Sequence, residues 1–188
     1  MKNKYHIILA SKSPRRQELL KGLDVDFEVK VIDGIDESYP DTLESEQVPV
    51  YISQKKAAAY DITEGNMLIT ADTVVVCGNE ILGKPKNAEQ AAEMLRKLSG
   101  RTHTVTTGVT MKTCNRQVSF PVTTKVTFRE LTDEGINYYI TNYRPFDKAG
   151  AYGVQEWIGY IAVTRLEGSY FNVMGLPVQR IYDELIKF

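Results

Sequence analysis

The chain predicts a mixed α/β fold of the α+β kind, and three observations carry that prediction. Strand and helix patterns alternate through the first half, strands dominate the middle, and a helical pattern closes the chain. The length of 188 residues suits one domain, spanning 1–188, or two closely packed lobes, and lets about 70% of the unfolded surface be buried. A hydrophobic share of 43% and a charged share of 25% are those of a soluble globular protein. No repeat, low-complexity tract or linker interrupts the sequence, so any lobe boundary is made by packing.

Taken in order, the apolar run 7–10 is a short strand leading into Ser11-Lys12-Ser13-Pro14-Arg15-Arg16 and a helix. Ser13 suits the N-cap and Pro14 the first helical position, where its missing N–H costs nothing. The alternation at 27–31 reads as a second strand. The polar stretch 33–49, with Gly34, Pro40 and Asp36-Glu37, reads as a long loop, and such loops are uncommon unless they carry function. Alanine content makes 50–60 a helix with Lys55 and Lys56 near its middle. Residues 67–76 form an apolar, β-branched run broken by Thr70, Asp72 and Thr73, the pattern of a buried strand. The chain turns at 77–80 and returns through 81–85. Asn87 and Gln90 make a capping box for a helix over 88–98, ended by Gly100. Thr- and Val-rich stretches 102–112 and 118–128, joined near Asn115, predict a long hairpin. A short helix over 131–141, a strand over 158–166 and a helix over 178–186 complete the reading.

Charge and composition exclude several functions. With 23 basic against 24 acidic residues the net charge is -1, so no general attraction to a polyanion exists and no nucleic acid partner is expected. Cys77 and Cys114 are too few for a disulfide framework, and no paired Cys or His spacing points to zinc. Both cysteines read as small hydrophobes in a reducing compartment, which makes a cytoplasmic location the expectation. The apolar run after the charged N-terminus is too short for a signal peptide, and no stretch approaches the roughly 20 apolar residues of a membrane span.

The chemistry lies where polar groups break this pattern. The first turn of the opening helix offers free N–H groups and the positive end of its dipole, and Arg15 and Arg16 stand at the same point, ready for phosphate oxygens. A carboxylate in an apolar strand is costly unless paired or bound to a cation, so Asp72 is expected at the strand's end, facing a cleft, as a base or a metal ligand. Glu37, beside Asp36, offers a second carboxylate for a hard divalent cation. Lys84 is fixed between Gly83 and Pro85 shortly after the strand of Asp72, which suits charge developing on a phosphate. Lys56 has the ordinary reading of a helix lysine directed to water. The glycines of 147–155 let backbone approach a ligand, and Gln155 presents both donor and acceptor, as a nucleobase edge requires. Ser169 and Asn172 sit in a second Gly-bounded turn where they can orient neighbours.

Together these stretches resemble the Maf family of nucleoside triphosphate pyrophosphatases over residues 9 to about 182. The matching blocks are Ala10-Ser11-Lys12-Ser13-Pro14-Arg15-Arg16, Gln54-Lys55-Lys56-Ala57, Ala71-Asp72-Thr73-Val74, Leu82-Gly83-Lys84-Pro85, Leu98-Ser99-Gly100, the run from Asp147 through Gln155, and Gly168-Ser169-Tyr170 through Gly175-Leu176-Pro177. Arg15, Thr73 and Gln155 stand where the branch acting on dTTP and UTP has the same residues. A sister branch acting on 7-methyl-GTP has an aromatic residue before the arginine pair and Ser-Asp-Gln in place of Ala-Asp-Thr, and this chain has neither.

The resemblance implies hydrolysis between the α and β phosphates, to a monophosphate and pyrophosphate, with a divalent cation, Mg²⁺ or Mn²⁺. It aligns Asp72 with the proposed proton acceptor and Arg15, Thr73 and Gln155 with positions linked to substrate choice. Ser11, Arg16, Glu37, Lys56 and Lys84 align with phosphate or metal contacts. It further implies an elongated, twisted mixed sheet flanked by helices, two lobes around a central cleft, and often a homodimer. A nucleotide-responsive regulator of septation, acting mainly by binding, is the alternative. A binding module does not need Asp72, and its presence with Lys56 and Lys84 favours an enzyme, for dTTP and UTP or for modified pyrimidine nucleotides.

Overall fold

A computed structural model describes residues 4–188. Seven strands, β1 (His6–Leu9), β2 (Phe27–Val29), β3 (Asn66–Cys77), β4 (Glu80–Leu82), β5 (Thr102–Lys112), β6 (Gln117–Phe128) and β7 (Val163–Glu167), form a mixed sheet in the order β2-β1-β3-β5-β6-β7, with β4 paired to β3, and helices flank it. The mixed α/β class expected from the sequence is therefore found. The chain divides into two compact units, and the long strands β3 (Asn66–Cys77), β5 (Thr102–Lys112) and β6 (Gln117–Phe128) contribute residues to both. No helix among the described residues is long and apolar enough to cross a membrane.

The first unit comprises the chain up to Asp72, Thr107–Val122 and Gly175–Phe188. Its β1 (His6–Leu9) runs parallel to both β2 (Phe27–Val29) and β3, with Ile7 opposite Phe27 and Met67, and Leu9 opposite Val29 and Ile69. A strand bonded on both edges and covered on both faces reads as an unbroken apolar run, which is why Ile7, Ile8 and Leu9 are all buried. Ser13 caps α1 (Pro14–Lys21) by accepting the Arg16 N–H at 3.4 Å, and Pro14 opens the helix as expected. No helix or strand lies between Val29 and Val48, so the long loop is real. The following helix, α2 (Val48–Ala58), begins two residues earlier than its alanine content implied, because Pro49 fits a first turn. The hairpin turn closes at Thr113 and Arg116, and α7 (Val178–Leu185) ends the unit. Cys114 is exposed on that turn rather than packed.

The second unit comprises Thr73–Thr106 and Thr123–Met174. Here β4 (Glu80–Leu82) returns antiparallel to β3, with Leu82 opposite Val75. Asn87 accepts the Gln90 N–H at 2.9 Å to cap α3 (Ala88–Leu98), while Gln90 accepts the Lys86 N–H at 2.7 Å. The reciprocal arm of the capping box thus lands one residue early. The helix α4 (Asp133–Tyr143), a 3-10 turn (Ala149–Ala151), α5 (Trp157–Ala162), β7 (Val163–Glu167) and α6 (Tyr170–Met174) follow. Leu95, Leu98, Phe128, Tyr139, Ile158 and Ala162 form the heart of its core.

Two expectations about the strands need correction. Asp72 does not end its strand: it stands inside β3, between the pairs Leu9–Ile69 and Val75–Leu82. The twelve-residue strand runs on past it, and its side chain is made tolerable by the Lys56 ammonium. Residues 158–166 are not one strand. The first part is α5, where Ile158 and Ala162 are buried at helical spacing and Tyr160 is 84% exposed. A short apolar run carries no period long enough to decide, and packing decides instead.

Gly159 carries that decision. A Cβ added there would stand 1.8 Å from the Val154 carbonyl oxygen, so only glycine lets α5 lie against that backbone. Gly159→Ala is expected to destabilise the protein by about 1–3 kcal/mol, the range for overpacking. The measurement is the urea midpoint at unchanged m value.

Candidate active site

In the first unit the loop after β2 delivers two acidic residues to two consecutive lysines of α2. Asp36 accepts from Lys55 Nζ at 2.8 Å, from Ser38 Oγ at 2.6 Å and from the Ser38 N–H at 2.9 Å. The lysine first and the serine next hold its carboxyl well below the usual carboxylate range. Asp36 is therefore used up as a loop fastener. Glu37 instead reaches Lys56 Nζ at 3.0 Å, and the same nitrogen lies 2.9 Å from Asp72 Oδ1. The Lys56 and Asp72 side chains are 15% and 16% exposed, whereas Glu37 is 54% exposed. Lys56 is thus not a solvated helix lysine but the shared partner of two carboxylates.

Arg16 stands beside this group. Its Nε donates to the Gly175 carbonyl and its Nη1 to the Ala71 carbonyl, both at 2.8 Å. One side chain therefore ties the start of α1 to the residue before Asp72. Burial lowers its pKa, Asp72 and Glu37 oppose that, and Arg15 adds to the lowering. A guanidinium remains protonated all the same. Ser11, 6% exposed, accepts the Ser13 N–H at 3.2 Å and so shapes the turn ahead of α1, while Gln17 Nε2 donates to its carbonyl at 3.1 Å. Arg15 is half-buried on the first turn of the helix.

Glu37 and Asp72 both meet the Lys56 ammonium, and their carboxylate oxygens are the hard donor type that a divalent ion such as Mg²⁺ or Mn²⁺ takes. Among the described residues no group of three or more His, Cys, Asp or Glu side chains is gathered for a metal. Two carboxylates are what a phosphate-bound Mg²⁺ takes from a protein, its remaining ligands being water and phosphate oxygen.

The second unit holds Thr73, Lys84 and Gln155. Thr73 is half-buried on β3 directly after Asp72. Lys84 is exposed, but its turn is not loose: the Gly83 carbonyl accepts the Gly150 N–H at 3.1 Å, tying it to the 147–155 segment. The Gln155 amide oxygen Oε1 is buried and has no hydrogen-bond partner within the protein. A buried acceptor without a donor costs about 1–3 kcal/mol, which singles out this amide as a candidate ligand contact. Lys148, Glu156 and Tyr139 surround this segment, and sequence reasoning missed the last two; only the position of Lys148 inside a glycine-bearing block hinted at a role. Asn172 is a packing residue, donating through Nδ2 to the Val105 carbonyl and to Thr124 Oγ1.

The family model of Maf-like proteins matches residues 6–188, and the chain belongs to that family. It is 58% identical over 186 residues to a dTTP/UTP pyrophosphatase of Phocaeicola vulgatus, covering 98% of this chain and 96% of that one. A protein of the same name from Parabacteroides distasonis is 54% identical, over 98% and 97% of the two chains. Another from Bacteroides thetaiotaomicron is 53% identical with the same coverage.

Arg16→Lys is expected to destabilise the protein by about 1–3 kcal/mol, because a lysine has no planar fork to reach the carbonyls of Ala71 and Gly175 together. The fall in chemical-denaturation midpoint measures it, and an unchanged midpoint would remove Arg16 from its role in fixing the strand.

Proposed function

We propose that this chain hydrolyses nucleoside triphosphates between the α and β phosphates, releasing a monophosphate and pyrophosphate, with dTTP and UTP as substrates. The observation that carries the reading is the Glu37–Lys56–Asp72 group, in which a largely buried carboxylate is held in place by one lysine. The high identity to relatives named dTTP/UTP pyrophosphatase supports the same reading. Nothing comparable favours the septation regulator.

In the proposed reaction water attacks the α phosphorus in line with the departing pyrophosphate. A P–O bond forms to the water oxygen, the bond from α phosphorus to the bridging oxygen breaks, and the water proton passes to Asp72. Lys56 fixes the Asp72 carboxylate, which keeps the base in one orientation. A bound Mg²⁺ or Mn²⁺ would neutralise charge on the phosphate oxygens, and Glu37 with Asp72 would hold it. Arg16 and the turn shaped by Ser11 contact phosphate, and Lys84 stabilises charge on the leaving group. In the same reading the enzyme acts on free nucleotides in the cytoplasm, and a homodimer is its expected assembly.

Gln155 and Thr73, with Arg15, select the base. Uracil and thymine present a ring N–H flanked by carbonyls, which an amide matches with its oxygen and its NH₂. Cytosine has a bare ring nitrogen at that position and leaves Gln155 Oε1 without that donor.

With dTTP or UTP and Mg²⁺, the primary products are expected to be the monophosphate and pyrophosphate; orthophosphate as the first product would sink the reading. Asp72→Asn is expected to lower kcat by roughly 10²–10⁴-fold with the fold intact by circular dichroism. Gln155→Ala is expected to lower the kcat/KM preference for dTTP and UTP over CTP by roughly tenfold, more than it lowers the best turnover. Ratios measured across a panel of triphosphates decide it.

A further inference from the structure

The segment that carries Gln155 is tied at both sides to one phenol. Tyr139 projects from α4 and is fully buried. Its hydroxyl oxygen accepts the Gly153 N–H at 3.0 Å, and its proton is donated to Glu156 Oε2. The other carboxylate oxygen of Glu156 lies 3.1 Å from Lys148 Nζ, which reaches Asp147 Oδ1 at 2.8 Å. The Glu156 N–H returns to the Gly153 carbonyl at 3.0 Å. Gly153 and Glu156 bracket Gln155, so its backbone has little freedom. Burial first, and the bond to Glu156 second, raise the Tyr139 pKa far above the ordinary tyrosine value. The phenol therefore keeps its proton for Glu156 at any working pH.

Gly153 restrains the side chain as well. A Cβ there would stand 3.0 Å from Gln155 Nε2, 2.9 Å from Glu156 Cδ and 3.0 Å from Glu156 Oε2. The amide of Gln155 and the carboxylate of Glu156 both lie against the bare Cα of this glycine. Any side chain would push the amide away, and the buried Oε1 would leave its place.

We propose that Tyr139, Glu156 and Gly153 are positioning residues for base selection: without touching the base, they hold the Gln155 amide in the one orientation that matches a pyrimidine carrying a ring N–H. The proposal rests on the base-selecting role given to Gln155 above. A network that only stabilised the fold would have no need of the smallest residue beneath that amide. A buried Lys–Glu pair is also a poor source of stability compared with apolar packing, whereas fixing geometry is a use suited to it.

The test measures kcat/KM for dTTP, UTP and CTP in wild type, Tyr139→Phe, Gly153→Ala, Gln155→Ala and the double variant Tyr139→Phe/Gln155→Ala, with the thermal midpoint of each. Tyr139→Phe and Gly153→Ala are each expected to lower the dTTP-to-CTP ratio by about fivefold or more, the scale of one spoiled hydrogen bond. The double variant is expected to match Gln155→Ala, because the phenol acts through the amide. If Gln155→Ala loses the preference while Tyr139→Phe and Gly153→Ala keep it, whatever their midpoints, the network is structural; the proposal is overturned and the role of Gln155 stands. Losses that multiply in the double variant also overturn it. An unchanged ratio in Gln155→Ala overturns the base-selecting role itself, and the positioning proposal falls with it.

Discussion

A carboxylate in the middle of a buried strand is tolerable only if a cation meets it, and in the first unit Lys56 does so for Asp72. Much of that unit is arranged to bring the lysine there. Helix α2 is held on its strands by polar contacts through Ser53. The Ser53 carbonyl accepts from Thr70 Oγ1 at 2.7 Å, and Ser53 Oγ meets Thr110 Oγ1 at 2.8 Å. Past the end of the helix Lys112 Nζ donates to the carbonyls of Ala57 and Tyr60, at 3.1 and 2.8 Å, and ties the helix end to β5. Arg16 braces the strand from the other direction through the Ala71 carbonyl. Breaking a buried pair by removing one partner costs about 3–5 kcal/mol, so the helix, the strand and the ion pair sustain one another.

The second unit repeats the device with a different outcome. Lys148, like Lys56, holds two carboxylates, those of Asp147 and Glu156. At each lysine the outer acid, Glu37 or Asp147, is more than half exposed, while the lysine and the inner acid are largely enclosed. The difference lies at the inner acid: Tyr139 takes the remaining carboxylate oxygen of Glu156, a closed arrangement that suits geometry. His103 belongs to the closed class too: burial lowers its pKa to about 4, its Nε2 pairs with the Tyr152 hydroxyl at 2.7 Å, and it packs edge-on against Phe128.

Local signals were legible wherever one residue's chemistry acts on its own backbone neighbourhood. The Ser13-Pro14 start of α1, the Asn87 cap and the apolar run of β1 are of this kind, since capping and β-branched burial need no distant partner. The ordered motif blocks also led to the family, and they named Asp72, Lys84 and Gln155 as residues of interest. Local chemistry is silent where the deciding group lies far along the chain. Asp36 and Glu37 are adjacent and chemically alike, and only the family resemblance, not any local signal, separated the acid bound to Lys55 from the one shared with Asp72. The run 158–166 has no period of its own, and Val154 settles its first turn as helix.

By itself the sequence determined the α/β class and most element positions and singled out the candidate site residues, because periodicity, caps and motif order are properties of neighbouring residues. The tertiary structure alone decided which carboxylate meets which lysine, that Asp72 stands inside its strand, and that the Gln155 amide oxygen is buried without a partner while Tyr139 holds the segment around it. Those facts depend on groups brought together across tens of residues. Electrostatics and desolvation act on distance in space, and spacing along the chain does not encode it.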